Sequence, residues 1–73
     1  MTKLPRISGR ECVAALRKAG FQLKRQHGSH IILRRENPFA QVVVPDHQEL
    51  DTGTLRAILR QAGLSPDQFE ALL

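Results

Sequence analysis

The sequence contains no tryptophan and no tyrosine, and its only aromatic residues are three phenylalanines: Phe21, Phe39 and Phe69. Modules that read single-stranded RNA by base stacking carry aromatic side chains on an open sheet surface. None of the three phenylalanines falls clearly on such a surface in the predicted strands. Base stacking is therefore not supported as a mode of recognition, and any nucleic acid would be held mainly through phosphates and sugars, with salt-sensitive affinity.

The single cysteine, Cys12, excludes an internal disulfide and favours a reducing compartment. Its neighbours Val13 and Leu16 indicate a small buried residue more than a reactive thiol. No stretch approaches the ~20 apolar residues of a membrane span, and the N-terminus lacks the apolar run of a signal peptide. We expect a soluble, cytoplasmic protein without membrane contact.

Metal-binding patterns are also lacking. The histidines His27, His30 and His47 do not match a zinc spacing, and the chain has no C-x-x-C pair. We therefore expect neither a metal nor a cofactor. A chain of 73 residues predicts one domain over residues 1–73, which buries only ~60% of its unfolded surface. An open surface site and a monomeric state are the corresponding expectations.

The charge is unevenly distributed along the chain. Eleven Lys and Arg residues against seven Asp and Glu residues give a net charge of +4, and most of the basic residues precede residue 36. Acidic residues lie mostly in the second half. Such a basic region suits a phosphate backbone or an acidic protein partner, although a solubilising surface would produce the same balance.

Three helices are predicted from caps and apolar spacing. Ser8 and Glu11 fit a capping box, and Gly20 is a typical stop, so helix one spans about 9–19. Helix two begins after Asp51 or Thr52 and ends at Gly63. The segment 65–68 predicts the cap of a short third helix. On helix two, Arg56 and Arg60 are four residues apart and form either a basic ridge or a solvated face.

Three strands are predicted between the first two helices. Residues 21–25 alternate apolar and polar, which is typical of a half-buried strand, and 26–29 read as a turn. A second strand spans 30–35, residues 36–40 form a turn, and a third strand covers 41–44. Short connections favour an antiparallel meander with both main helices on one face. The predicted class is α+β.

Gly28-Ser29-His30 is the best functional clue in this plan. Ile31 and Leu33 should face the core, which leaves His30 and Arg34 on the open face. An imidazole can exchange a proton at neutral pH, and guanidinium groups can hold phosphate oxygens. The pair Arg34-Arg35 follows closely in sequence. Lys24 or Arg25 can approach from the neighbouring strand, Gly28 permits close approach of a backbone, and Ser29 supplies a hydroxyl donor.

The chain resembles the HicA-type, or YcfA-like, toxins of bacterial type II toxin–antitoxin modules between about Ser8 and Leu64. Six segments carry the resemblance in compatible order and spacing: Ser8-Gly9, Gly20-Phe21, Gly28-Ser29-His30, Val44-Pro45-Asp46-His47, Gly53-Thr54-Leu55-Arg56 and Ile58-Leu59-Arg60-Gln61-Ala62-Gly63-Leu64.

The resemblance implies a fold like that of double-stranded-RNA-binding domains, α-β-β-β-α with a three-stranded antiparallel sheet. It also implies an endoribonuclease that cleaves mRNA without the ribosome and is neutralised by a HicB-type antitoxin. Family toxins depend on the histidine of the Gly-Ser-His segment, here His30, which could act as general base or acid. A non-catalytic RNA-binding module of the same fold is the alternative.

Two positions depart from the family pattern. Many relatives carry a second histidine where this chain has Ile31, which removes a possible proton partner. A lysine often precedes the glycine, where this chain has His27, a residue that could serve as an acid or phosphate contact or be a solvated turn residue. His47 belongs to the Val-Pro-x-His pattern, and either RNA contact or hydrogen bonding within its loop would explain it.

Overall fold

The computed structural model describes residues 3–73. Met1 and Thr2, which the expected domain over 1–73 includes, lie outside the described residues. The elements follow the order helix, three strands, helix and short helix. None of the helices in the described part of the chain is long and apolar enough to cross a membrane.

The first helix, α1 (Gly9–Lys18), begins at the predicted capping box. The Ser8 hydroxyl accepts from the Glu11 backbone N–H, and the Ser8 N–H donates to Glu11 Oε1, each at 3.0 Å. These bonds satisfy amide groups that have no partner within the first turn of a helix. The prediction for this helix is confirmed to within one residue at its C-terminal end.

The remaining helices are also confirmed. The Asp51 carboxylate accepts from the Thr54 N–H at 2.7 Å and caps α2 (Thr52–Ala62), which ends at Gly63 in the left-handed conformation. A second capping box, formed by Ser65 and Gln68, begins α3 (Pro66–Glu70).

The strands are β1 (Gln22–His27), β2 (His30–Glu36) and β3 (Phe39–Pro45), in an antiparallel sheet of order β1-β2-β3. The predicted α+β architecture is therefore confirmed. The predicted first and third strands were too short at the turns. β1 continues to His27 because His27 pairs with His30, and β3 begins at Phe39 because Phe39 pairs with Glu36. The second turn is thus only Asn37-Pro38, with a cis peptide bond between them. Phe39 is exposed on the open face, so the expectation that no phenylalanine lies there was wrong.

The core lies between the helices and one face of the sheet. Ile31 and Leu33 of β2 and Val42 and Val44 of β3 are buried, as the alternation of side chains along a strand requires. They form one apolar cluster with buried residues of the helices and flanking segments: Leu4, Ile7, Cys12, Ala15, Leu16, Phe21, Leu50, Leu55, Ile58, Leu59, Ala62 and Phe69.

The prediction that the first strand is half-buried was wrong. All six residues of β1 are exposed. Leu23 pairs with Leu33 in the register, so both side chains lie on the helix-facing side, yet Leu23 is 49% exposed and Leu33 is 0% exposed. The helices cover β2 and β3 but leave this side of β1 open. The alternation of apolar and polar residues therefore predicted correctly that Leu23 lies on the helix-facing side of the sheet, but it predicted incorrectly that this side of β1 is buried.

A close contact between α1 and β3 fixes the end of the sheet nearest His30. Gly9, the first residue of α1, is buried, and a Cβ atom there would overlap the backbone carbonyl oxygen of Pro45. The Gly9 N–H also donates to the His47 carbonyl oxygen at 2.8 Å. Since Pro45 pairs with His30, this contact ties the helix start to the strand end beside the histidine.

Candidate active site

His30 lies at the first position of β2, directly after a two-residue turn. Gly28 has a φ of +57°, and among the described residues positive φ occurs only at glycines, so Ser29 has negative φ. A positive φ at the first turn residue alone is typical of a type II′ hairpin, which demands glycine there. A Cβ atom at Gly28 would meet nothing within 4 Å, so the space above the turn is open. The His30 side chain is exposed beside it.

Arg34 shares the open face with His30. The two residues are four positions apart along β2, an even number, and so project to the same side. The Arg34 guanidinium donates from Nε and Nη2 to Gln41 Oε1, at 3.2 and 3.1 Å. Gln41 is the partner of Arg34 on β3, and this fork orients the guanidinium across the sheet.

Arg35 does not belong to this surface. Its guanidinium lies 4.7 Å from the centroid of the Phe21 ring and donates to the carbonyl oxygens of Pro38 and Ala62, at 3.0 and 3.2 Å. The adjacent arginines therefore face opposite sides of the sheet. Of these two arginines, only Arg34 lies on the face of His30. Arg35 stabilises the fold by connecting the second turn to the end of α2.

The candidate cations on β1 are both exposed. Arg25 pairs with Ile32 in the register and so shares the open face with His30 and Arg34. Lys24 lies in an irregularity of the strand, where the register shifts between Leu23 and Arg25. The pairing thus assigns Arg25 to the surface of His30, while Lys24 lies at the bulge next to it.

His27 is not a turn residue. It is the last residue of β1 and is the register partner of His30, so the two imidazoles lie on the same face of the hairpin. Both side chains are exposed. The length of the turn was the available signal, because a two-residue turn makes the residues on either side of it direct partners.

Ile31, the first of the two departures from the family pattern, is buried on the helix-facing side. A residue that follows His30 on a strand points to the opposite face. A histidine at that position would therefore face the core. The expectation that Ile31 removes a proton partner of His30 was wrong for this reason.

A polar cluster holds the hairpin against α1. Arg10 donates from Nε and Nη2 to the two carboxylate oxygens of Asp46, at 3.2 and 3.4 Å, and Gln26 Nε2 donates to Asp46 Oδ2 at 3.3 Å. The Asp46 N–H donates to the Ser29 carbonyl oxygen at 2.6 Å, and Gln26 Nε2 also donates to the Gly28 carbonyl oxygen at 2.9 Å. We call Arg10, Gln26 and Asp46 the hairpin clamp.

The hairpin clamp is electrostatically favourable. The hydrogen bond from Arg10 holds the pKa of Asp46 below its usual value and outweighs the opposing effect of burial. The same carboxylate raises the pKa of Arg10. Sequence patterns do not predict this group of three residues, because Arg10 and Asp46 are 36 positions apart.

Ser29 and His47 flank this cluster. Ser29 is exposed in the turn, and its backbone oxygen is occupied by Asp46. His47 is exposed, and its backbone oxygen accepts from Gly9. The hydrogen bond from the Thr54 N–H holds the pKa of Asp51, the cap of α2, below its usual value, and positive charge on His47 would lower the pKa of Asp51 and of Asp46 further. The loop therefore uses the His47 backbone and leaves its imidazole accessible near the hairpin.

A thiol and a cluster of metal ligands are the other groups that could support catalysis in this protein. Cys12 is fully buried, and burial raises the pKa of its thiol to about 12, which makes it unreactive at neutral pH. Within residues 3–73, no group of three or more His, Cys, Asp or Glu side chains is placed to hold a metal ion.

The fold and this surface together define a small α+β protein with a histidine and basic residues on the uncovered face of a three-stranded sheet. The family model of the HicA toxin of bacterial toxin–antitoxin systems matches residues 9–64. The chain belongs to this toxin family, and it is the toxin of a toxin–antitoxin module whose partner is an antitoxin. A comparison with curated proteins found no match.

Proposed function

We propose that this toxin is a metal-independent endoribonuclease that cleaves mRNA, with His30 as the catalytic acid/base. The observation that carries the proposal is the position of His30. Its side chain is exposed at a strand start, beside a glycine with open space above it, on the same face as Arg25 and Arg34. A long polymer can reach this surface, which needs no enclosed cavity.

The residues around His30 suit a phosphodiester. A positioned histidine that moves a proton to or from a reacting oxygen typically contributes ~10²–10⁴-fold to the rate. Arg34, held by Gln41, can bind two phosphate oxygens and stabilise charge that develops in the transition state. Arg25 and Lys24 extend the positive surface along β1, and Gly28, Ser29 and His47 lie at the end where RNA would approach His30.

The proposed partner is a HicB-type antitoxin, as the family resemblance implies. The uncovered sheet face carries Arg25 and Arg34 beside the exposed Phe39 and Val43, so an antitoxin surface with acidic groups that covers His30 would block RNA and enzyme action together. An mRNA substrate and such a partner would place the activity in the cytoplasm.

Purified protein and defined RNA oligonucleotides test the proposal. Wild-type protein should cleave RNA at an unchanged rate in excess EDTA, and His30→Ala should lose ~10²-fold or more, the usual contribution of such a group. Glu36→Ala is the matched control, since Glu36 is exposed at the other end of β2. Cleavage that persists in folded His30→Ala protein would contradict the assignment, and loss of cleavage in EDTA would contradict metal independence.

A non-catalytic RNA-binding module is the second candidate, because the basic open face would serve binding without cleavage equally well. It predicts salt-sensitive binding of RNA that remains intact during long incubation with wild-type protein. The residue Ile31, in place of the second histidine of many relatives, does not favour this candidate, since its buried side chain does not reach the face of His30. Growth arrest by wild-type and His30→Ala protein in cells separates the two candidates further.

A further inference from the structure

We propose that His27 is the second catalytic residue, a general acid that protonates the oxygen leaving the phosphate while His30 acts as the general base. This inference rests on the proposed function, because it assigns the partner of His30 in the same reaction. Its basis is the direct pairing of the two histidines across a two-residue turn.

The geometry of the hairpin places the two imidazoles at a suitable separation. Directly opposite residues in an antiparallel pair have Cβ atoms about 4.5–5.5 Å apart and side chains on one face. His27 and His30 are both exposed, and the Cβ position of Gly28 between them is open. A phosphate seated over the turn can therefore have one imidazole on each side of the phosphorus atom.

Cleavage of RNA without a metal involves two proton transfers. One removes the proton of the attacking 2′-hydroxyl, and the other adds a proton to the leaving 5′-oxygen on the opposite side of the phosphorus atom. His30 takes the proton of the 2′-hydroxyl as the 2′-oxygen forms a bond to phosphorus. The bond from phosphorus to the 5′-oxygen breaks, and His27, initially protonated, gives its proton to that oxygen. The products are a 2′,3′-cyclic phosphate and a 5′-hydroxyl. His30 has gained one proton and His27 has lost one, and exchange with water restores both residues.

The groups that surround the pair on the open face are uncharged or basic. Pro45 is the neighbour of His30 on β3 and carries no charge, while His27 is on the outer strand. Arg25 and Arg34 share the open face, and Asp46 of the adjoining loop is engaged by Arg10 within the hairpin clamp. No carboxylate among the described residues is paired with either imidazole.

The dependence of the cleavage rate on pH tests the two-histidine reaction. Wild-type protein should show a bell-shaped profile, since the base must be neutral and the acid protonated. His27→Ala should lower the maximum ~10²–10⁴-fold and abolish the falling limb at high pH. His27→Lys keeps a proton donor whose ordinary pKa is about 10.4 and should move that limb to higher pH.

A substrate with an activated leaving group gives a readout that a structural role would not move. In RNA with a single 5′-bridging sulfur, the thiolate leaves without a general acid. His27→Ala should cleave this substrate at nearly the wild-type rate, whereas His30→Ala should remain inactive. Leu23→Ala, an exposed change on the helix-facing side of the same strand, is the matched control and should match wild type on both substrates.

The outcomes separate this inference from the proposed function. If His30→Ala is inactive while His27→Ala and His27→Lys retain the wild-type rate and pH profile, the role of His27 is refuted and the ribonuclease assignment stands. A defect of His27→Ala that sulfur does not rescue also refutes the role as acid. If wild-type protein does not cleave RNA, both proposals fail. Thermal unfolding of every variant identifies any loss of rate that reflects loss of the fold.

Discussion

The outer strands of the sheet, β1 and β3, have the same kind of pairing with β2 but opposite relations to the helices. Val42 and Val44 of β3 are fully buried under the helices, whereas all residues of β1 are exposed on both faces. β3 is therefore part of the core, and β1 is held by its hydrogen bonds to β2 and by the hairpin clamp. The difference separates stability from the proposed chemistry, since side chains on β1 can change without opening the core.

The largest expected contrast comes from two leucines that face each other across β1 and β2. Leu33→Ala should lower the free energy of unfolding by ~2–5 kcal/mol, because the lost methyl groups leave a cavity in the core. Leu23→Ala should lower it by less than ~1 kcal/mol, since about half of the side chain is already in water. Urea titrations of both variants measure the contrast. Equal losses would show that β1 is as well packed as β2.

Gly9→Ala should have the next largest effect, on the β3 side of the comparison. The added Cβ atom would overlap the Pro45 carbonyl oxygen, which is backbone and cannot rotate away. Overpacking of this kind typically costs ~1–3 kcal/mol. Gly53→Ala is the control, because its Cβ atom would meet only the Asp51 side chain at an ordinary 3.5 Å. Thermal unfolding should distinguish the two variants, and equal midpoints would contradict the close contact.

Arg34 and Arg35 sharpen the comparison at the level of adjacent residues. Arg35→Ala should destabilise the protein by ~1–2 kcal/mol, because bonds to two carbonyl oxygens and a ring contact are lost, and should leave the RNA surface intact. Arg34→Ala should change stability by less than ~0.5 kcal/mol. It should instead weaken RNA binding. The dependence of the logarithm of the binding constant on the logarithm of the salt concentration should become less steep, by about the amount expected for one lost phosphate contact. Fluorescence anisotropy at several salt concentrations provides the measurement, and a reversed pattern would contradict the assignment of faces.

Asp46→Asn should produce the smallest change in global stability and a local change at the hairpin. At neutral pH it should accelerate amide hydrogen exchange around Ser29 and His30 and lower the cleavage rate severalfold. The pKa of Asp46 is depressed in the folded state, so its stabilisation is complete above the unfolded value of about 3.9 and is lost as pH falls through the lower folded value. The difference in free energy of unfolding between wild type and variant should therefore be the same at pH 5 and pH 7. It should disappear at lower pH, where Asp46 of the wild type becomes protonated.

Local patterns predicted most of the fold. The caps at Ser8, Asp51 and Ser65 fixed the helix starts, and the alternation around Ile31 and Leu33 assigned the two faces of β2. These features depend on residues a few positions apart, and such information is present in any short window of sequence. That residues 1–73 form one domain stays a prediction, as do the roles assigned to the site residues.

Features that depend on distant parts of the chain were not predicted. The exposure of Leu23 depends on how far α1 and α2 extend over the sheet, and the hairpin clamp joins residues far apart in sequence. Arg35 was grouped with Arg34 by adjacency, although consecutive strand residues point to opposite faces. The pairing of His27 with His30 could have been inferred from the two-residue turn alone.

The shortness of that turn makes chain length, and not only residue type, a determinant of the proposed chemistry. A one-residue insertion beside Gly28 has two ways to be accommodated. A longer turn changes the turn type and the approach to the open space above the glycine. A slip of the pairing by one residue sends one of the two imidazoles to the opposite face of the sheet. The slip separates His27 from His30 and the longer turn alters the access to them, although every side chain of the hairpin is retained in both cases.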